Sequence, residues 1–398
     1  MEIIVTEWIS LLLRWTHLIV GIAWIGSSFY FIWLDLSLRR RDGLPEGVAG
    51  ETWMVHGGGF YQAQKYLVAP PSLPAELHWF KYEAYFTWIT GFLLLAVIYY
   101  WGAESFLIDP QVLALEPWVA ILLSLGLLAG GWIAYDLLCK SPLGKNTGLL
   151  AVLVFVLTIV AAVIFTHIFS GRAAFLHVGA FLGTIMAANV FFVIIPNQKK
   201  TVAAMTAGEE PDPALGLQAK QRSTHNNYLT LPVLLMMISN HYPIVYGHAY
   251  SWLIVAGVVL FGGIVRHFFN TKNAGGKGMA IAWQLPLAAV ITLCVIWFSG
   301  LRFGETELAA DETVTAADAL AIVQVRCTSC HSANPTDEGF EEAPGGLMLD
   351  TAEQLRANAS RVLAQTVLTD TMPLGNMTEM TPEERARLGL WIRQGTPD

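Results

Sequence analysis

Long apolar runs dominate the first 300 residues of this chain, and they constrain its fold more than any other feature. A bilayer core about 30 Å thick is crossed by a helix of roughly 20 apolar residues. The chain of 398 residues is 54% hydrophobic and only 14% charged, whereas about a quarter of a soluble domain is charged. Eight segments fit the requirement, at about 7–34, 79–101, 117–138, 147–168, 174–195, 227–242, 249–268 and 280–300. The sequence therefore predicts a membrane protein with an eight-helix bundle.

The charges of the connecting loops predict how this bundle is oriented. Loops on the cytoplasmic side carry an excess of Lys and Arg. Before residue 301, one set of alternate loops contains thirteen basic residues and the other set only Arg172. The thirteen are Arg39, Arg40, Arg41, Lys65, Lys140, Lys145, Lys199, Lys200, Lys220, Arg222, Arg266, Lys272 and Lys277. The N-terminus and, after eight crossings, the C-terminal region are therefore expected outside the cytoplasm.

The composition changes after residue 300. Residues 301–398 contain 16 acidic and 7 basic residues, whereas residues 1–300 contain 15 and 16. We predict a transmembrane domain over 1–300, a linker over 301–314 and a small soluble domain over 315–398, with short helices near 315–326, 351–368 and 382–394. The acidity of this domain suits a basic partner such as a soluble electron carrier, or it serves only to keep the domain soluble.

The run Cys327-Thr328-Ser329-Cys330-His331 is the strongest chemical signal in the chain. A C-x-x-C-H motif attaches haem through two thioether bonds and supplies the following His as an axial iron ligand. A thioredoxin-type pair would need a βαβ context. A zinc site would need further Cys or His, and residues 332–398 contain neither. The motif therefore predicts one covalent haem c.

The second axial ligand of a c-type haem is often a methionine sulfur further along the chain. Met372 begins the step Met372-Pro373, and proline keeps such a loop extended. We predict Met372 as the ligand, with Met377 and Met380 as alternatives and Met348 as core packing. The whole chain is thus expected to be all-α, an eight-helix transmembrane bundle followed by a small class I-like cytochrome c domain.

Ionisable residues at membrane depth are costly and often mark function. His17 lies well inside the first segment, and His167, His177 and His241 fall near outer ends of theirs. His17 with His177 or His241 would hold a second, non-covalent haem b, or each would be an ordinary interhelical histidine. Cys139 and Cys294 are expected to be inert packing residues.

A second polar group lies on the predicted inner side. It combines imidazole, amide, charged and aromatic side chains, which suit a flat anion rich in heteroatoms. The alternative roles are headgroup anchoring and helix capping. The candidate substrate residues are His78, Lys81, Glu83, His225, Asn226 and Asn227.

Three segments joined to this layout resemble the membrane-bound cytochrome c urate oxidases, also called urate hydroxylases. They are residues 77–85, the run His225-Asn226-Asn227 with 239–243, and His56-Gly57-Gly58-Gly59. The resemblance covers essentially the whole chain. It implies oxidation of urate to 5-hydroxyisourate without hydrogen peroxide, in a bacterial inner membrane with the cytochrome domain on the periplasmic side.

The resemblance also implies partners. These are urate, membrane lipid and an electron acceptor such as a soluble cytochrome c or a terminal oxidase, with no nucleic acid. Urate gives up two electrons whereas one haem accepts one at a time, so the enzyme needs two successive transfers, a radical or a second redox centre. The bilayer would separate a substrate on the inner side from the haem, so an intervening cofactor would be needed there, whereas direct transfer is possible from the outer side. Two other functions remain open from the sequence: a quinol-oxidising respiratory cytochrome subunit, and a transporter with a tethered electron carrier.

Overall fold

The described part of the chain is mostly helical. The computed structural model describes residues 2–301, 308, 312–337, 339–369 and 371–398. Most of the predicted linker over 301–314 therefore lies outside the described residues. The chain has two parts: the membrane part, up to residue 301, and the C-terminal part, from residue 312 onward.

Long helices form the membrane part. Seven helices in the described residues are long and apolar enough to cross a membrane. One further long helix, α6, is more polar because its first half carries Lys220 and Arg222. In chain order the helices are α1 (Glu2–Ser37), α2 (Tyr82–Tyr100), α3 (Pro117–Lys140), α4 (Thr147–Thr166), α5 (Gly171–Thr206), α6 (Pro213–Ile238), α7 (Ser251–Asn273) and α8 (Met279–Ser299).

The loops between these helices gather at two ends of the bundle. At one end, the Ser170 backbone N–H donates to the Leu107 carbonyl at 3.0 Å, and Arg172 donates to the Asn240 side chain. At the other, Gln221 Nε2 donates to the Gly144 carbonyl at 2.8 Å. Helix α6 therefore runs back from the second end to the first, so it crosses the bundle despite its polar start.

Helix α5 lies at the centre of the bundle. The apolar window of α5 is 67% buried, against 33% or less for the other six apolar helices. Small residues let its neighbours approach closely: a Cβ added to Gly131 of α3 would lie 2.0 Å from the Phe181 ring. Polar side chains on α5, such as His177 and Asn189, are consequently shielded from lipid on every side.

A two-stranded antiparallel hairpin follows α1, so the prediction of an all-α chain is wrong at this point. Strands β1 (Val48–His56) and β2 (Gly59–Tyr66) pair from Val48↔Tyr66 to His56↔Gly59. Gly57 and Gly58 form the turn with φ of 58° and 79°. Two consecutive positive φ angles are what a type I′ hairpin turn requires. The glycine run is therefore a turn, and the bundle end that carries it is called the hairpin end.

The C-terminal part contains short helices around a small core. They are α9 (Ala316–Arg326), α10 (Ala352–Ala357) and α11 (Pro382–Arg393), near the predicted positions. Each begins with a capping box, in which a Thr side chain and the third helical residue bond each other's backbone. Trp391 is fully buried at the centre of the core.

The C-terminal part packs directly against the membrane part. Gln111 Nε2 donates to the Met380 carbonyl at 3.1 Å, and Thr369 lies so close to Gly247 that a Cβ there would meet its carbonyl at 2.2 Å. Both contacts involve the bundle end opposite the hairpin. We call it the cavity end, because a cavity lies between the two parts there.

Candidate functional site

The C-x-x-C-H segment forms a tight turn directly after α9. The Cys330 and His331 backbone N–H groups donate to the Cys327 carbonyl at 3.2 and 2.8 Å. His331 Nδ1 lies 3.0 Å from the Leu347 carbonyl. Since a carbonyl only accepts, Nδ1 carries the proton and Nε2 is the ring nitrogen left to bind a metal.

The two thiols lie in surroundings that do not favour a reactive thiolate. Burial raises the pKa of the Cys327 thiol to about 12, and the nearby Arg385 charge only partly opposes this. Burial also raises the pKa of Cys330. Thiol–disulfide exchange needs the thiolate, which a low pKa supplies. The segment is therefore poorly suited to be a thioredoxin-type redox pair.

Met372 lies on a loop that Arg385 holds in place. The Arg385 guanidinium donates to the Met372 and Thr366 carbonyls, both at 2.6 Å, and to Asn376 Oδ1 at 3.3 Å. The Met372 N–H donates to the Gln365 carbonyl at 2.9 Å. Since Arg385 is only 8% exposed, the backbone that carries the Met372 sulfur is fixed by a buried cation.

The other methionines differ from Met372 in their surroundings. Met380 is fully buried in the core of the C-terminal part. Met377 is 42% exposed and its sulfur accepts from Ser105 Oγ at 3.6 Å. Met348 is 40% exposed, so its predicted role as core packing is wrong. The residue before it, Leu347, has its carbonyl next to His331, whereas the Met348 side chain points outward.

These residues fit a c-type haem. Its donor set consists of two thiols one turn apart, an imidazole with Nε2 available and a thioether on a fixed loop. Cys327, Cys330, His331 and Met372 would hold the cofactor, which supplies a one-electron acceptor when bound. The described residues contain no group of three or more His, Cys, Asp and Glu that would hold a bare metal ion.

A cavity of about 460 Å³ lies at the cavity end, between the membrane part and the C-terminal part. Cys327, Cys330 and His331 do not line it, whereas Met372 does. The cavity is thus on the Met372 side of the predicted haem site. Its polar lining includes Ser105, Asp109, Arg172, Asn240, His241, His248, Gln365, Thr371 and Arg385.

The predicted residues His225 and Asn226 lie in a buried network near the hairpin end. Tyr135 OH lies 2.7 Å from His225 Nδ1 and accepts from Asn189 Nδ2 at 3.0 Å. Asn189 Nδ2 also donates to Asn226 Oδ1 at 2.9 Å. Arg222 joins the network, because its guanidinium lies 5.0 Å from the Tyr135 ring centre. These groups satisfy one another and leave few atoms for a ligand.

Asn227 lies in a second group of buried polar side chains. Its Oδ1 accepts from Arg266 at 3.1 Å and from Asn270 at 3.0 Å. Its Nδ2 is buried with no hydrogen-bond partner in the described part of the chain. The group links α6 to α7.

The structure does not join His78, Lys81 and Glu83 to this network. His78 is exposed with its ring 4.5 Å from that of Phe80, and Lys81 Nζ lies 4.9 Å from the Tyr82 ring centre. These residues precede or begin α2, which packs on α5 through the apolar residues Ala84, Val190 and Ile195. The predicted substrate residues therefore do not come together in one site.

The three intramembrane histidines also have separate surroundings. His17 Nδ1 lies 3.0 Å from Thr90 Oγ1, and His241 is exposed at the cavity. His177 is fully buried, with Nδ1 at 2.7 Å from the Ala173 carbonyl and Nε2 at 2.8 Å from Ser124 Oγ. Both ring nitrogens of His177 are thus hydrogen-bonded within the bundle, and its role as an iron ligand stays a prediction.

Sequence reasoning missed several residues that shape these sites. Tyr135 and Asn189 are buried and Asp136 is partly buried; all three are polar residues in apolar segments, which is the signal that the sequence offers. Arg385 carried no such signal, because an arginine on a short soluble helix is usually exposed. Cys139 was expected to be inert, yet its sulfur lies 3.9 Å from His225 Nδ1.

Together these features define a class: a multi-helix bundle compatible with a membrane, joined to a small helical part with a candidate haem-attachment motif. The family model described as "Urate oxidase N-terminal" matches residues 3–299. The match covers well over half of the chain, which therefore belongs to the urate oxidase N-terminal family. Comparisons with curated proteins and with solved structures gave no match. The family indicates an oxidoreductase that acts on urate.

Proposed function

We propose that this protein is a membrane-bound urate oxidase that delivers the electrons of urate to its own haem c. The family match over residues 3–299 is the observation that carries the proposal. The membrane part, which this match covers, packs against the loop that contains Met372. The haem-attachment motif Cys327–His331 then gives the oxidation a bound one-electron acceptor.

The reaction balances without oxygen. Urate and one water give 5-hydroxyisourate, two protons and two electrons, with the new C–O bond formed at C5 of the purine. Cys327, Cys330, His331 and Met372 would hold a haem c, which would supply a one-electron acceptor, and a soluble cytochrome c or a terminal oxidase would receive the electrons. Since water supplies the oxygen atom, no hydrogen peroxide forms.

The proposed location is the bacterial inner membrane, with the cavity end on the periplasmic side. The thirteen basic loop residues fall on segments that connect at the hairpin end, and cytoplasmic loops are enriched in such residues. The C-terminal part, which packs at the cavity end, would then lie where a soluble acceptor reaches it. A second haem, predicted for His17 with His177 or His241, stays a prediction.

The test is an anaerobic visible spectrum. Urate mixed with the oxidised protein under argon is expected to reduce the haem, seen as growth of its α-band. An unchanged spectrum under argon together with peroxide formation in air would overturn the proposal. Reduction by a quinol but not by urate would point instead to a respiratory quinol-oxidising subunit.

A further inference from the structure

The cavity at the cavity end has a polar wall formed by the membrane part. Arg172 begins α5, and its guanidinium donates to Asn240 Oδ1 and lies 5.6 Å from the Phe106 ring. Asn240 Oδ1 also accepts from Tyr99 OH at 3.1 Å. His241 follows and is exposed to the cavity. This wall thus combines a fixed cation, an amide, an imidazole and an aromatic face.

Arg172 is the unusual member of this wall. The predicted outer loops before residue 301 contain it as their only basic residue. Because Arg172 lines the cavity, the membrane part contributes a positive charge to the cavity wall. Asp109 also lines the cavity, but its carboxylate accepts from the Gln111 N–H at 2.9 Å and caps a short helix.

The opposite wall comes from the C-terminal part. It contains Gln365, Thr371, Met372 and Arg385. Thr371 Oγ1 donates to Gln365 Oε1 at 2.8 Å, which leaves the Gln365 amide NH₂ as a donor. A ligand in the cavity would therefore lie next to the loop that carries the predicted iron-ligating sulfur.

The chemistry of the lining suits a small, flat anion with amide edges. The volume of about 460 Å³ lies within the range of roughly 300–1,000 Å³ found for small-molecule sites. Arginine binds planar anions through paired N–H donors. The side-chain amides of Asn240 and Gln365 can form hydrogen bonds with the C=O and N–H groups of a purine. By contrast, the polar groups near the hairpin end mostly bond one another.

We propose that urate binds in this cavity, between Arg172, Asn240 and His241 on one side and Gln365 and Met372 on the other. The inference rests on the proposed function, which names the substrate but not its place. It puts the purine directly against the C-terminal part, so its two electrons reach the covalent haem without an intervening cofactor. The two protons and the water at C5 are exchanged with the outer solvent.

The experiment measures urate binding without turnover. The full-length protein is first reduced with dithionite, so that its haem accepts no electrons, and urate binding is followed by equilibrium dialysis. We expect Arg172→Gln to bind urate about tenfold to a hundredfold more weakly, as when a hydrogen bond to a charged group is lost. Arg172→Lys, which keeps the charge, is expected to recover part of the affinity.

His241→Ala provides a second variant with little effect on folding, because this side chain is exposed. Its affinity for urate is expected to fall about fivefold, as when one neutral hydrogen bond is lost. The matched control is Arg361→Gln, an exposed residue outside the cavity. This control is expected to bind urate and reduce its haem like the unmodified protein.

The outcomes separate the two proposals. If the unmodified protein neither binds urate nor reduces its haem with urate, the proposed function itself is wrong. If it does both, and Arg172→Gln and His241→Ala bind urate with unchanged affinity, the cavity is not the site. Loss of binding in His225→Ala, with both cavity variants unaffected, would place the site at the hairpin end.

Discussion

Buried arginines occur in both parts, Arg222 and Arg266 in the membrane part and Arg385 in the C-terminal part, and they bind different partners. Arg222 is 3% exposed and donates to Asp136 Oδ1 at 2.7 Å, a carboxylate on a neighbouring helix. Arg385 is 8% exposed and donates to the backbone carbonyls of Met372 and of Thr366, which lies in the helical turn before the Met372 loop. In the bundle the regular helices already satisfy their backbone, so Arg222 bonds a side-chain carboxylate and Arg266 bonds the Asn227 amide oxygen. In the C-terminal part, Arg385 bonds the backbone instead.

This difference shows what each part needs in order to be stable. Long helices around α5 bury a large apolar core, and their polar groups connect the helices to one another. The C-terminal part has a core of about a dozen buried residues, and domains this small usually need a covalent or cofactor link. The same kind of substitution should therefore have different consequences in the two parts.

The largest effect is expected from Cys330→Ala. Loss of one thioether attachment should abolish haem that survives denaturing electrophoresis and should expose the C-terminal part to proteolysis, while the bundle stays folded. Haem staining and limited proteolysis measure both. Cys294→Ala, an exposed thiol on α8, is the control. Covalent haem retained in Cys330→Ala would contradict the assignment of the motif.

Arg222→Met should destabilise the bundle by about 1.5–3 kcal/mol, because Asp136, 14% exposed, loses its charged hydrogen bond to a buried guanidinium and keeps only the bond from Lys140. The matched control is Lys140→Met. Lys140 Nζ bonds the other oxygen of Asp136 at 2.6 Å, but its side chain is 67% exposed, so less than about 1 kcal/mol is expected. Thermal unfolding of the detergent-solubilised protein compares the two. Equal losses would show that Asp136 is well solvated.

Arg385→Lys tests the loop that carries Met372. A lysine has one compact donor group and does not reach several carbonyls with the same geometry, so a loss of about 2 kcal/mol is expected from charged hydrogen bonds. With haem bound, the near-infrared sulfur–iron band should weaken. Arg393→Lys changes an exposed arginine at the end of α11 and should leave the band intact. An intact band in Arg385→Lys would mean that the sulfur is positioned by other contacts.

Thr381→Ala removes half of the capping box of α11. Thr381 Oγ1 accepts from the Glu384 N–H at 3.2 Å, and such caps contribute about 1 kcal/mol. The same substitution in the bundle, Thr206→Ala, removes only an exposed bond to the Val202 carbonyl and should change stability by less than about 0.5 kcal/mol. Denaturant unfolding of each variant checks the difference, and a larger loss at Thr206 would reverse the comparison.

Much of the membrane fold was predictable from the sequence, because apolar runs of the right length have few other solutions. The hairpin was not predicted, although Gly57-Gly58 between alternating side chains is typical of a type I′ turn. The short helices of the C-terminal part were predicted because their Thr caps are local signals.

The candidate sites were predictable only where the signal is local. Cys327, Cys330, His331 and Met372 follow from one motif and one dipeptide, and they stay predictions that await a cofactor measurement. The cavity was not predictable, since it depends on loops that are more than a hundred residues apart, such as those with Ser105 and Asn240. The network of Tyr135, Asn189 and His225 likewise joins three helices.

The polar first half of α6 also has a consequence for how the chain enters the membrane. A cationic side chain facing lipid costs about 3 kcal/mol at insertion, and α6 carries Lys220 and Arg222. Arg222 pairs with Asp136 on α3, and Lys220 pairs with Asp35 on α1. Both carboxylates are synthesised before α6. We expect α6 to stay outside the bilayer until those helices are in place, so assembly follows the order of synthesis. Protease protection of truncated nascent chains, with and without Asp136→Leu, would reveal whether α6 waits for its partner.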